Sequence, residues 1–394
     1  MSRVLDGVRV LDFGRYIAGP YCAALLANMG ADVIRIERPG GGEDRFLAPI
    51  SKTGDGAMFM QMNAGKRGMT LNIGKPDGRK IVKELVKSAD IVIANLPDKF
   101  LRRLELDYDS LRAIKPDIIL VTNSAFGNSG PYAEKVGFDG IAQSMSGAVW
   151  YSGQPDQPSK STIHFVDFST ALSATIGVLV AIMEKQRTGT GQVVGTSLLG
   201  TALTLANGTL IEQAVIDRNR VPTGNRGQVA APADIFKTVD GHVIIQVVGP
   251  WMFKRFVQLI GKEEWLDDPR FKDDLSRGDH ADVLNDFVAE WCASRTTDEV
   301  LQAMESARLP AGPILSWQEA LDHPAVQALG HLQPMAFPGT PSPPPVANTP
   351  FSLSNSEVGL TRRAPMVGEH TEEILHDIGY DAEQITRLRT SGIV

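Results

Sequence analysis

Within the first 122 residues, short apolar runs at Val8–Phe13, Ala31–Glu37, Gly68–Asn72, Asp90–Asn95 and Ile118–Thr122 alternate with helical patterns at Tyr21–Met29, Gly78–Ser88 and Lys99–Ile114. Strand and helix in strict alternation build parallel sheets covered by helices. The expected fold class is therefore α/β, with an open, largely parallel, Rossmann-like sheet in the first third of the chain. Ligands of such sheets collect outside the carboxyl ends of the strands. The loops after Phe13, Glu37, Asn72, Asn95 and Thr122 then define the candidate cleft.

Further along, the pattern predicts a helix over Ser169–Gln186, a glycine turn at Thr188–Gly191, a strand at Gln192–Thr196 and a helix rich in small residues over Leu199–Val215. The polar stretch Asp217–Gly227 reads as a linker. Beyond it, Ile235–Val239 and His242–Val247 flank Asp240-Gly241 as a hairpin, and charged helices follow. With 394 residues and 43% apolar composition the chain exceeds one ordinary domain. The expectation is a large domain, residues 1–216 plus 332–394, and a smaller α/β domain, residues 228–331. Pro338–Pro350 is dense enough in proline to read as an extended connector, and the tail Gly368–Leu388 is helical.

A formal charge of −7 argues against a nucleic-acid partner, since Lys and Arg are scattered rather than striped. Cys22 and Cys292 have no ligand-like spacing, so neither a disulfide framework nor a metal site is suggested, and the expected setting is reducing and cytoplasmic. Met1–Asp6 lacks a signal-peptide core, and the apolar stretches read as too short to span a membrane.

Asp167 stands where an apolar segment passes into the helical pattern. A carboxylate there faces the positive end of a helix, so it is expected to stay ionised at neutral pH and to be available as a nucleophile; the same position also suits a simple helix cap. No GxSxG elbow surrounds Ser124 or Ser129, which read as turn formers, and His164 has no evident triad partner. Gly40–Gly42 lacks a phosphate-loop register and reads as a flexible loop. Arg15, Arg38, Lys66-Arg67, Lys75 and Arg102-Arg103 fall at the expected ligand edge, where together they would suit a polyanion.

The chain resembles the class III coenzyme A-transferases. The resemblance is carried in order by Val10-Leu11-Asp12-Phe13, Ala18-Gly19-Pro20, Gly30–Gly40, Asn63–Arg67, Leu71-Asn72, Gly137-Phe138-Asp139, Asp167, Thr188–Gln192, Gly312-Pro313 and Gly368–Thr371. It implies an interlocked, linked-ring homodimer. It also implies CoA transfer from an acyl-CoA, with succinyl-CoA a candidate, to a small carboxylic acid, with a dicarboxylate a candidate, through aspartyl anhydride and aspartyl-CoA thioester intermediates on Asp167. Coenzyme A would enter as acyl-CoA substrate, without a metal. Arg38 would meet the adenosine portion, Leu71, Asn72, Ile73, Asn95 and Leu96 would line its path, Arg103 would meet a phosphate, and Phe138 and Asp139 would border the thioester. Lys75 would replace a basic contact that relatives have beside it. Arg15, Ile17 and Ala18 would face the substrate, Arg15 holding a second carboxylate of the acceptor. Ile17, in place of a glutamine, and Gly224–Gly227, in place of a glycine run, argue against formate and oxalate. A 2-methylacyl-CoA racemase of the same fold is the alternative, weakened by Phe138 where that reaction needs histidine. A non-catalytic acyl-CoA-binding protein is the other.

Overall fold

In the computed structural model, which describes residues 3–394, strands β1 (Arg9–Asp12), β2 (Asp32–Glu37), β3 (Arg67–Thr70), β4 (Ile91–Ala94), β5 (Ile119–Ser124) and β6 (Val193–Ser197) form one sheet. Its order is β3-β2-β1-β4-β5-β6, and every pairing is parallel. Side chains of a strand alternate between faces, and here both faces are apolar. Val10, Val33, Ile91, Ile93, Ile119 and Val121 pack under the helices Ala18–Asn28 and Phe165–Thr188. Leu11, Ile34, Val92 and Leu120 point the other way, against Ile81, Leu85 and Leu111 of the helices Pro76–Ser88 and Tyr108–Ile114. Each such side chain contributes roughly 1.5–3 kcal/mol on burial, so a polar substitution at Ile93 or Val121 would strike the centre of the sheet.

The tail completes the second of these cores: Ile374 and Leu375 of the helix Thr371–Asp377, and Ile385 of the helix Ala382–Thr390, belong to it. By internal packing the chain forms two units. One comprises residues up to Ser146, Ser161–Ile211 and Leu329–Val394; the other comprises Gly147–Lys160 and Glu212–Ala328. The short excursion Gly147–Lys160 was not expected from the sequence. The second unit contains β7 (Ala233–Lys237), β8 (His242–Gln246) and β9 (Ala311–Pro313) in antiparallel order β7-β8-β9. Phe236, Val243 and Ile245 pack there with Phe256, Leu284 and Val288.

Four sequence expectations need correction. Lys99–Ile114 is two helices, Asp98–Leu104 and Tyr108–Ile114, because Glu105 turns left-handed (φ 58°) and Asp107 caps the second by accepting the Ser110 N–H at 3.2 Å. The first hairpin closes at Lys237 opposite His242, so its loop is Thr238–Gly241 rather than the dipeptide Asp240-Gly241. The proline tract is not wholly extended connector, since β10 (Leu332–Pro334) pairs antiparallel with β11 (Pro345–Ala347). Finally, one apolar segment is long enough for a bilayer: Phe165–Thr188 has 24 helical residues, and an 18-residue stretch within it reaches a mean hydropathy of 1.8. Ala171, Ala174, Val178 and Ala181 of that helix pack against the sheet instead. Met1 and Ser2, part of the N-terminal stretch considered above, lie outside the described residues.

Candidate active site

The strand order reverses between β1 and β4, and a crevice opens where their following loops diverge. Asn95, just after β4, spans it. Its Oδ1 accepts the Arg15 N–H at 2.7 Å, and its Nδ2 donates to the Arg15 carbonyl at 2.7 Å. The amide expected on the CoA path is thus committed to shaping the loop after β1. In that loop Gly14 donates to Asp12 Oδ1 at 2.8 Å, and a Cβ on Gly14 would come within 2.8 Å of both that oxygen and the Pro20 ring. Tyr16 follows with φ 63°, a left-handed conformation costly for an aromatic residue, and its ring meets Phe138 edge-on at 5.6 Å.

Two adjoining pockets lie along this edge. The first, about 240 Å³, is lined by Arg15, Tyr16, Ala18, Leu96, Phe138 and Asp167 among others. The second, about 220 Å³, is lined by Arg15, Arg38, Glu43, Leu71, Asn72, Ile73 and Leu96. Arg15 and Leu96 belong to both.

Asp167 occupies the third position of the helix Phe165–Thr188, which begins four residues before the expected start at Ser169. The helix can start early because its cap comes from elsewhere. His164 at the cap position makes no capping bond; Asp139 supplies it, its Oδ2 accepting the N–H of Val166 at 2.8 Å and of Asp167 at 3.0 Å. Asp167 therefore neither caps the helix nor receives its free N–H groups. Burial, and then the neighbouring Asp139 charge, push its carboxyl up to about 7. The expectation that the helix end keeps Asp167 fully ionised at neutral pH is overturned, because Asp139 has taken the donors that would have done so. Among the described residues no hydrogen bond or ion pair engages its carboxylate.

The other expected residues divide. Ala18 lines the first pocket; Ile17 is 5% exposed, starts the helix Ala18–Asn28 and lines neither. Phe138 lines the first pocket at 56% exposure, whereas Asp139 is 2% exposed and lies behind the pocket wall, away from the expected thioester border. Arg38 holds the Gly41 carbonyl at 2.9 Å and keeps a side chain 66% exposed at the second pocket. Arg103 stacks on Phe100 at 4.8 Å and lines neither pocket. Lys75 donates to the Ser391 carbonyl at 2.7 Å. Arg15 pairs with Glu43 at 2.7 Å, both side chains being over a third exposed.

Two basic residues read as candidate anion contacts are structural. Lys66 is fully buried, with Nζ 2.6 Å from Asp12, 2.8 Å from the Pro20 carbonyl and 2.9 Å from Asn63 Oδ1. Arg67 is spent on Asp32, Glu373 and Asp377. Their counter-charges are remote in sequence, so nothing local marked them. Ser124 does form a turn, accepting the Gly127 N–H at 2.9 Å.

These features coincide with a family match. The model of CoA-transferase family III fits residues 5–371. The chain is 32% identical to the succinate–glutarate CoA-transferase of Agrobacterium fabrum, covering 98% of this chain and 97% of that protein. It is also 32% identical to the succinyl-CoA–D-citramalate CoA-transferase of Chloroflexus aurantiacus, covering 100% and 98%. A crystal structure of a CaiB/BaiF family protein from Brucella suis superposes with a TM-score of 0.83 at 30% identity, over 96% of this chain and all of that one. The chain belongs to CoA-transferase family III and is a class III CoA-transferase.

Proposed function

We propose that the enzyme moves CoA from an acyl-CoA, with succinyl-CoA the first candidate, to a small dicarboxylic acid by way of Asp167. The observation that carries this is an unpaired carboxylate at a pocket wall with a guanidinium at the junction to the next pocket. Asp167 attacks the thioester carbonyl and gives a mixed anhydride, with CoA thiolate departing. The thiolate returns to the Asp167 carbonyl and releases the acyl carboxylate. The acceptor carboxylate then attacks the Asp167 carbonyl of this thioester and expels CoA thiolate, giving a second mixed anhydride; the thiolate attacks the acceptor's acyl carbon, and the Asp167 carboxylate leaves, freed for the next cycle. The net exchange of one thioester for another is nearly isoergic, so the protein need supply only a held nucleophile and stabilisation of the oxyanions. Arg38, Leu71, Asn72 and Ile73 line the path assigned to CoA.

A racemase reading would need a base where Phe138 stands, and its ring cannot carry a proton. A non-catalytic binding protein would have no use for a carboxylate kept unpaired and partly protonated.

Arg15 is the proposed acceptor clamp. Its partly exposed pair with Glu43 is worth about 1 kcal/mol or less, so an incoming carboxylate can displace Glu43. In a panel assay of succinyl-CoA against mono- and dicarboxylic acids, Arg15→Ala is expected to raise the KM for dicarboxylates about tenfold or more and leave that for the CoA donor nearly unchanged. Equal effects on both would discard this role.

An interlocked homodimer is the proposed assembly. Leu172, Ile176, Val180 and Met183 recur along one side of the helix Phe165–Thr188 with 38%, 64%, 58% and 68% exposure. A run of this kind marks an interaction surface. Light scattering should give twice the chain mass for the unaltered protein and a shift toward the monomer for Ile176→Glu with Val180→Glu; a monomeric unaltered protein would refute the assembly.

A further inference from the structure

We propose that Asp139 is a positioning residue for the covalent chemistry of Asp167: it fixes the nucleophile's backbone from behind and, through its charge, disfavours the free carboxylate relative to the neutral, acyl-linked forms. The inference rests on the reading above that Asp167 becomes covalently linked to substrate.

The geometry is a clamp. Asp139 opens the helix Asp139–Met145, directly after Phe138, so one turn presents the ring to the pocket and the carboxylate to the interior. Asp139 Oδ2 holds the N–H groups of Val166 and Asp167. One turn on, Gln143 donates to Asp139 Oδ1 and accepts the Ser161 N–H at 3.0 Å, so the entry to the Asp167 helix is fixed from the same side. A carboxylate receiving three N–H donors acts purely as an acceptor. Asp139 thereby replaces the positive pole of the helix start with a negative charge beside the nucleophile.

That replacement has a chemical consequence. In the first step a carboxylate oxygen of Asp167 bonds to the thioester carbonyl carbon, and the C–S bond breaks with its electron pair leaving as CoA thiolate. In the second, the thiolate bonds to the Asp167 carbonyl carbon and the acyl carboxylate leaves with the C–O pair. In both products Asp167 is neutral and the charge has moved to the departing group. Repulsion from Asp139 is present in the free enzyme and absent from the intermediates, so it pushes the equilibrium toward them. The burial and Asp139 charge that hold the Asp167 carboxyl up near 7 agree with this geometry.

The test uses two variants of the full-length enzyme. Asp139→Asn keeps an oxygen for the two N–H groups, puts an amide NH2 where Gln143 now donates, and removes the charge; Gln143→Met removes the Gln143 link to Asp139 and Ser161 and keeps the charge. The readouts are the acid limb of the kcat/KM profile and the fraction of enzyme trapped by borohydride as aspartyl-CoA after mixing with succinyl-CoA alone. Other titratable groups near Asp167 are Arg15 and Tyr16 after β1, Asp98 after β4, Glu134 and Lys135 after β5, and His164 at the helix cap. Both variants leave these in place. Asp139→Asn should move the limb down by roughly one pH unit and lower the equilibrium constant for the adduct about tenfold at pH 8, a one-unit coupling being a factor of ten. Gln143→Met should leave the limb where it was. An unmoved limb and adduct in Asp139→Asn, or an equal shift in Gln143→Met, would overturn the proposal. Normal trapping of the unaltered enzyme would show in either case that the covalent reading survives. No adduct on the unaltered enzyme would overturn that reading and this inference together.

Discussion

Asp167→Asn is expected to lower CoA transfer by about a thousandfold or more while making the protein more stable at neutral pH. The activity loss follows from removing the oxygen nucleophile, since catalysis then has only binding and charge placement left. The stability gain follows from the position of the carboxyl, which stands at about 7 against an ordinary 3.8. For a group raised on folding, its stabilising contribution is fully present below the ordinary value and is lost as pH rises through the folded value. At pH 8 the folded protein therefore carries an ionised carboxylate that is better solvated in the unfolded chain. Asparagine removes that penalty, worth about 1–3 kcal/mol after discounting for partial exposure. Denaturant unfolding should show the variant ahead of the unaltered enzyme at pH 8 and level with it near pH 4. The same titration sets the activity profile: kcat/KM should fall as pH drops below about 7, as the nucleophile takes up its proton. A variant that transfers CoA at the normal rate would remove Asp167 from the chemistry.

The sheet and its ligand edge were legible because they rest on local regularities: Val10 and Leu11, or Ile91, Val92 and Ile93, are each apolar and point to opposite cores. Asp167 was legible as a residue, though its environment was not. The carboxylate that takes its helix donors is Asp139, remote in sequence, and no spacing rule joins the two. The same blindness affects charge. Lys66 and Arg67 read as anion contacts because they fall beside the loops of the expected ligand edge, yet Asp12, Asp32, Glu373 and Asp377 had already claimed them. Arg15 and Arg38 look no different in sequence, and only exposure separates them from the buried pair. Glu43, which pairs with Arg15 at 2.7 Å, carried no signal of its own beyond lying next to a glycine run.

The second large effect lies beneath the loop that carries Glu43. Arg45 is fully buried, with Nη2 2.5 Å from Glu37, Nη1 2.7 Å from Asp55 and 3.0 Å from the Pro365 carbonyl, and its guanidinium lies 3.8 Å over the Phe59 ring. Burial by itself would raise the Glu37 carboxyl, but the Arg45 hydrogen bonds and the Arg35 and Arg45 charges hold it below its usual range. Arg45→Met retains volume over Phe59 but takes the ion-paired guanidinium from Glu37 and Asp55, leaving Glu37 only the Arg35 charge, so a loss of about 3–5 kcal/mol is expected. For Glu37 in the unaltered protein, the contribution is present above its ordinary value and fades as pH falls through the lowered one; in the variant, burial is opposed only by the Arg35 charge and the Gly42 N–H, so that contribution shrinks. The deficit should therefore be largest at neutral pH and shrink toward pH 4, as the carboxylates take up protons. Adding Glu37→Gln to Arg45→Met should recover a substantial part of the loss, because a neutral amide costs less to bury than an unpaired carboxylate. A deficit equal at both pH values, and unrelieved by the second change, would assign the effect to lost packing on Phe59. Glu37 ends β2 beside Arg38, and its Oε1 also accepts the Gly42 N–H at 3.0 Å. The charge pair thus holds the glycine loop bordering the second pocket, and a variant rescued by acid should regain CoA binding over the same pH range.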